Sequence, residues 1–216
     1  MSMELLFELL TATWQTLYMV AASGALAFVV GLPLGILLFV TRSNQLLSHP
    51  WLNKCLSMLV NVTRSIPFII LMLAIIPLTR LLVGTSIGTN AAIVPLTLAA
   101  TPFFARMVEN SLNELSPGLI EAGQAIGASP FQIIRSILVA EAMPGIVNSL
   151  TITLISLVAY SAMAGAVGGG GLGDLAIRYG YQRFNISVML ATIVILIALV
   201  QIIQYSGDSW VKRVSH

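Results

Sequence analysis

Charged side chains are so sparse along this chain that the intervals between them define its elements better than any local periodicity. A hydrocarbon core of about 30 Å is crossed by about 20 helical residues. On that measure the pattern predicts five spans, over about residues 12–41, 55–79, 89–107, 144–165 and 185–207. The first lies in an uncharged run from Leu9 to Thr41, longer than one membrane thickness, which implies tilt or an extra turn. Within it Gly31-Leu32-Pro33-Leu34-Gly35 predicts a bend. Glu4 and Glu8 precede this run without any Lys or Arg, and the run is too long for the apolar region of a signal peptide, so a retained helix is expected.

The second stretch contains Arg64, and an arginine at mid-bilayer costs about 2.5–3.5 kcal/mol on insertion scales. Either the helix begins later than Cys55 or the side chain faces protein; the reading preferred is that Arg64 snorkels along Leu59–Thr63 to the cytoplasmic headgroups. Pro67 follows it and predicts a kink that opens towards a cavity.

Composition agrees with a chain dissolved in lipid. Of 216 residues 57% are hydrophobic and 8% charged, against about a quarter charged in soluble domains. That excludes a water-soluble globular protein, and the same figures exclude disorder. The expectation is an all-α integral membrane protein, one transmembrane domain over residues 1–216. A net charge of +2 without a basic stripe points away from nucleic acid. Cys55 is the only cysteine, and His49 and His216 are the only histidines, so no disulfide, no thiolate cluster and no metal site is expected. No Ser-His-Asp or Cys-His set suggests catalysis, and Glu109, Glu114, Glu121 and Glu141 fall at or beyond span ends, leaving no midplane carboxylate for a proton relay. With the N-terminus outside and the C-terminus inside, Arg42, Lys54, Arg64, Arg106, Arg135, Lys212 and Arg213 are cytoplasmic, and only Arg80, Arg178 and Arg183 are external. That is the orientation expected from the excess of cations in cytoplasmic loops.

Residues 112–143 are too polar to span and too patterned for a loose linker. Ser116-Pro117 and Ser129-Pro130-Phe131-Gln132 both read as an N-cap followed by proline at the first helical position, the second with a capping-box glutamine. A helix over 117–126, a turn at Gly127-Ala128 and a helix from Pro130 to about Glu141 are predicted, with Leu119, Ile120, Gly123 and Ile126 on one face. So short a helix needs something to pack on. That leaves two readings: a cytoplasmic knob for another protein, or a connector folded against its own bundle.

Glu121-Ala122, then Gly127, then Ile137 is similar to the EAA loop of ABC importer permeases, which runs Glu-Ala-Ala, three residues, Gly, nine residues, Ile, one residue, Leu-Pro. Gly123 stands for the second Ala, and Val139-Ala140 for Leu-Pro. The stretches Arg64 to Ile70, Ala91 to Thr97, Arg106 to Asn110 and Tyr160 to Met163, with Gly168 to Gly173 and Tyr179-Gly180-Tyr181, resemble the permease subunit of methionine ABC importers over nearly the whole chain. The resemblance implies a type I importer permease in the bacterial inner membrane, working as a homodimer. It implies a coupling helix at Glu121, Ala122, Gly123, Gly127 and Ala128 seated in a cytoplasmic ATPase subunit, a substrate-binding lipoprotein outside, methionine as cargo, and ATP and Mg held by the partner rather than by this chain. A permease for another small amino acid or for glycine betaine, and a stand-alone secondary carrier, are the competing readings.

The fourth span is the expected path, since Ser149, Thr151, Thr153, Ser156, Tyr160 and Ser161 give it hydroxyls, although such groups commonly bond back to their own helix. Met163, flexible among Ala162, Ala164 and Gly165, is either an outer gate or packing. Gly169, Gly170 and Gly171 are expected to let an outer loop turn sharply towards a docked binding protein, with Asp174, Arg178 and Arg183 as polar contacts. The glycine run lacks the Lys-Ser/Thr that would make it a phosphate loop.

Overall fold

The computed structural model describes residues 3–215, so His216 lies outside the described residues. Its elements in chain order are α1 (Met3–Val40), α2 (Pro50–Ser65), α3 (Phe68–Ala74), α4 (Ile76–Val83), α5 (Thr89–Asn113) and α6 (Gly118–Ala125). There follow α7 (Pro130–Gln132), a π-helical segment (Ile133–Leu138), α8 (Val139–Glu141) and α9 (Met143–Gly165). The last elements are α10 (Gly171–Leu175), a second π-helical segment (Ala176–Tyr181) and α11 (Ile186–Val214). Among the described residues α1, α5, α9 and α11 are long and apolar enough to cross a membrane, and α2 with α3 makes a fifth span if the pair is counted as one.

α1, α5 and α9 form the centre, α1 lying along α5, while α11 flanks α9 with most of its surface outward. The inward stripe of α1 is built largely from small residues, Ala12, Ser23, Gly24, Ala27, Gly31 and Gly35, whereas Trp14, Leu26, Val29 and Val30 face outward. Apolar bulk outside and small residues inside is how helices associate in lipid, where close backbone approach replaces the hydrophobic effect. α1 runs without a break through Pro33. Gly31 and Gly35 serve to admit α5, since a Cβ at Gly31 would stand 2.9 Å from Phe104 Cδ1 and one at Gly35 2.5 Å from the Ala105 carbonyl oxygen. α1 also begins at Met3, well before the expected residue 12.

The second span is the larger departure. Its helix breaks at Ile66-Pro67, and α2 and α3 meet at 102°, where one kinked helix over 55–79 was expected. Proline supplies no N–H and disfavours helical geometry in the residue before it, which is extended here at φ −84°, ψ 124°. The N-terminal half of this span docks through Leu56 and Val60 on Leu34, Leu38 and Ala105. The other half packs through Phe68 and Met72 into the main cluster around Leu96, Ala100 and Leu157. Arg64 is exposed on this chain, with its guanidinium 5.7 Å over the ring of Phe103 on α5.

Candidate functional site

The polar connection folds as a helical hairpin, and its geometry starts with one glycine. Gly123 is buried on α6, where a Cβ would lie 2.9 Å from Ile137 Cδ1 and 3.0 Å from Ile133 Cγ1. The departure from Ala at this position therefore lets α6 lie directly on the π-helical segment, and Ile137, the isoleucine of the motif, is the side chain it lies on. The expected capping box is present, with Ser129 N–H donating to Gln132 Oε1 at 2.8 Å and Gln132 N–H to Ser129 Oγ at 3.4 Å. Gly127 turns the chain in the left-handed region, at φ 76°.

Two details differ from expectation. The residue capping α6 is Pro117, not Ser116, and no side chain bonds to the first turn. Ile126 is 80% exposed, outside the packed face that Leu119, Ile120 and Gly123 make. Glu121, Ala122, Gln124, Ala125 and Gly127 share that outward exposure, Ala128 is half-buried, and Phe131 is 67% exposed. The hairpin thus turns one face onto Ile133 and Ile137, seated in the cluster of Val108, Leu112 and Ile146. It leaves a small-residue tip open, with Glu121 on it. At its base Arg42 donates to Asn113 Oδ1 at 2.5 Å, and Arg106 pairs with the buried Glu109 while donating to Asn61 Oδ1 at 2.8 Å.

Along α9 the hydroxyls are engaged within the helix. Thr151, Thr153, Ser156 and Ser161 each donate to a carbonyl three or four residues back, at 2.7–2.9 Å. Ser149 donates to Gly145 and meets Ser111 of α5 at 3.2 Å. Ser161 is buried and Ser156 half-buried. Tyr160 differs, because its ring stacks on Phe68 of α3 at 4.8 Å and 11° and the residue borders a cavity. Met163 is 46% exposed on this chain, between half-buried Ala162 and buried Ala164.

The glycine run packs inward against α1. Gly169 and Gly171 are buried, and Gly170 and Gly171 sit at φ 78° and 77°. Gly171 N–H donates to Gln15 Oε1 at 2.8 Å and Leu172 N–H to Thr16 Oγ1 at 2.9 Å, both on α1. A Cβ on Gly173 would stand 2.5 Å from Ala162 Cα, and one on Gly165 2.7 Å from the Gly173 carbonyl carbon, so α9 and α10 touch backbone to backbone. What remains accessible here is polar: half-buried Asp174 bonded to exposed Arg178 at 2.7 Å, and Arg183 4.4 Å over the ring of Tyr179. Tyr179 OH donates to Glu8 Oε1 at 2.7 Å, and that bond, with burial behind it, holds the phenol above its ordinary value of 10.0. The expectations had not identified this Glu8–Tyr179 link, because its partners are far apart in the chain.

His49 caps α2 by accepting from Leu52 N–H, and among the described residues no three His, Cys, Asp or Glu side chains converge as metal ligands. Residues 31–216 match the family of binding-protein-dependent transport system inner membrane components. The chain belongs to this family. It is accordingly a multi-pass inner-membrane transport permease rather than an enzyme. A probable D-methionine transport system permease protein MetI of Vibrio cholerae is 60% identical over 208 residues, covering 96% of this chain and 92% of that one. The D-methionine transport system permease protein MetI of Escherichia coli K12 is 56% identical over 76% of each chain. Among solved structures, an inward-facing MetNI methionine ABC transporter in its native crystal form matches with TM-score 0.99, 53% identity and full coverage of both chains. An amino acid ABC transporter crystallised with histidines matches at TM-score 0.77 but 16% identity, which speaks to the fold alone.

Proposed function

We propose that this chain is the permease subunit of an ATP-driven importer that carries methionine, as the D-isomer, the L-isomer or both, into the cytosol by alternating access. The observation that carries the reading is the hairpin, a rigidly packed base behind an exposed tip of Glu121, Ala122, Gln124, Ala125 and Gly127, on a chain 60% identical to a methionine permease. The tip seats in a cytoplasmic ATPase, which holds ATP and Mg, and the hairpin's attachment to α5 and α9 turns closure of that engine into tilting of both helices. Two copies of the chain enclose the path on a two-fold axis, since the five spans of one chain are few for enclosing a path. Met163 and its symmetry mate close the outer end, Tyr160 lines the path, and Ser156 and Ser161 border it as packed helix surface. The termini lie N-out and C-in, and a binding protein docks outside over Asp174, Arg178 and Arg183. A secondary carrier finds no support in the described residues of the bundle, whose buried carboxylate, Glu109, is already paired with Arg106.

Reconstitution tests the reading. Proteoliposomes holding the permease with its ATPase and binding protein should accumulate methionine on ATP addition, and Glu121→Trp or Gly127→Leu should abolish uptake while membrane insertion persists. Uptake by the permease alone without ATP would overturn it.

A further inference from the structure

The break in the second span carries an unused charge. Non-helical backbone at membrane depth is tolerated where it lines a cavity or is covered by protein, and here it borders a cavity of about 230 Å³ lined by Thr63, Arg64, Phe68, Ala99, Phe103 and Tyr160. Ala99 and Phe103 lie on either side of the midpoint of α5, one of the helices long and apolar enough to cross a membrane. The ion pairs among the described residues, Arg106–Glu109 and Arg178–Asp174, do not involve Arg64. Its neighbour is the face of Phe103. The Tyr160 hydroxyl likewise has no hydrogen-bond partner among the described residues, its ring being fixed by Phe68. Arg64 is exposed on the single chain and lines this cavity beside a discontinuous helix, which has the form of a substrate waypoint, because ionisable groups within spans mark paths and sites form where helices break.

We propose that this cavity receives the α-carboxylate of the amino-acid cargo, a step that rests on the importer reading above. Arg64 offers a planar fork for bidentate, charge-assisted hydrogen bonds, and the Tyr160 hydroxyl supplies a further donor. Phe68 and Phe103 give the apolar wall for a thioether side chain. No carboxylate lines the cavity, so nothing there holds the ammonium group and recognition is of the anionic end. The site therefore distinguishes an amino acid from its amide or ester, whatever the side chain.

The test uses the complete transporter with Cys55→Ser and Ala99→Cys, reading the rate of maleimide labelling at position 99. Methionine should slow labelling and methioninamide should not. Arg64→Gln should remove the protection, Arg64→Lys should keep part of it, and uptake by Arg64→Gln should fall about tenfold, the scale of one hydrogen bond to a charged group. Thr63→Cys serves as the reporter if Ala99→Cys disturbs assembly. Equal protection by the amide, or no protection by methionine, with uptake by Arg64→Gln within about twofold of the parent, overturns the subsite and leaves the importer reading standing. A parent complex that moves no methionine at all overturns the importer reading instead.

Discussion

Gly123 is the position where packing and coupling can be separated by experiment. A Cβ there falls 2.9–3.3 Å from the ends of Ile137 and Ile133, about 0.5 Å short of an ordinary 3.4 Å contact at its closest. Because the nearest atom, Ile137 Cδ1, is the far end of its side chain and Ile133 meets the new methyl through side-chain atoms alone, Gly123→Ala requires only small rotations and should cost no more than about 1 kcal/mol, the low end for an overfilled core. Gly123→Val adds two more methyl groups to the same gap and should cost about 1–3 kcal/mol, enough to reduce the seated hairpin population about tenfold. Methionine uptake in proteoliposomes and retention of the ATPase subunit on an affinity resin should fall together in Gly123→Val and change little in Gly123→Ala. Ile137→Ala removes the opposing atoms, so the pair Gly123→Val with Ile137→Ala should recover part of the loss, by a coupling of about 0.5–3 kcal/mol. If Gly123→Val imports and retains the ATPase like the parent, or if Ile137→Ala only deepens its defect, the contact does not set the hairpin.

Other sites give independent outcomes. Gly173→Ala places a methyl against the Ala162 backbone, which cannot rotate away, so the apparent Tm in detergent should drop by several degrees for a cost of about 1–3 kcal/mol. Tyr179→Phe tests the Glu8 bond through pH. The phenol is raised in the folded chain, so its stabilisation is present below the ordinary value of 10.0 and is lost as pH climbs through the folded value. The difference in thermal midpoint between parent and Tyr179→Phe should accordingly be constant at neutral pH and shrink above about 10; a difference that grows there contradicts the assignment. Met163→Gly should raise ATP-independent leak of methionine through the outer end, measured as efflux from loaded vesicles, whereas Met163→Leu should keep the seal.

Charge spacing marked out four of the long apolar helices, α1, α5, α9 and α11, because a bilayer imposes length directly on sequence, although α1 begins nine residues before the expected start. It missed the break at Ile66-Pro67, since a span that turns by 102° occupies the same length of sequence as a straight one. The capping box at Ser129 and Gln132 was legible because both partners lie within one turn. Ser116 misled because the same dipeptide signal is followed by a cap at Pro117 without a side-chain bond. The glycines at Gly31, Gly35 and Gly169–Gly171 stood out in the sequence as bend and turn positions, whereas what each faces, Phe104, Ala105, Ala164 or Thr16, is settled only by tertiary packing. Arg64 was visible as an anomaly, and only the position of Phe103 and Tyr160 showed which way it points.

Where α1, α9 and α10 meet, Gly165, Gly169, Gly171 and Gly173 bring main chain against main chain or against the first atoms of a neighbour's side chain. Surfaces joined so closely have no slack: sliding by even a fraction of a side chain would leave voids that neither acyl chains nor water fills. Packing this close builds the three elements to move as one block rather than to slide past one another.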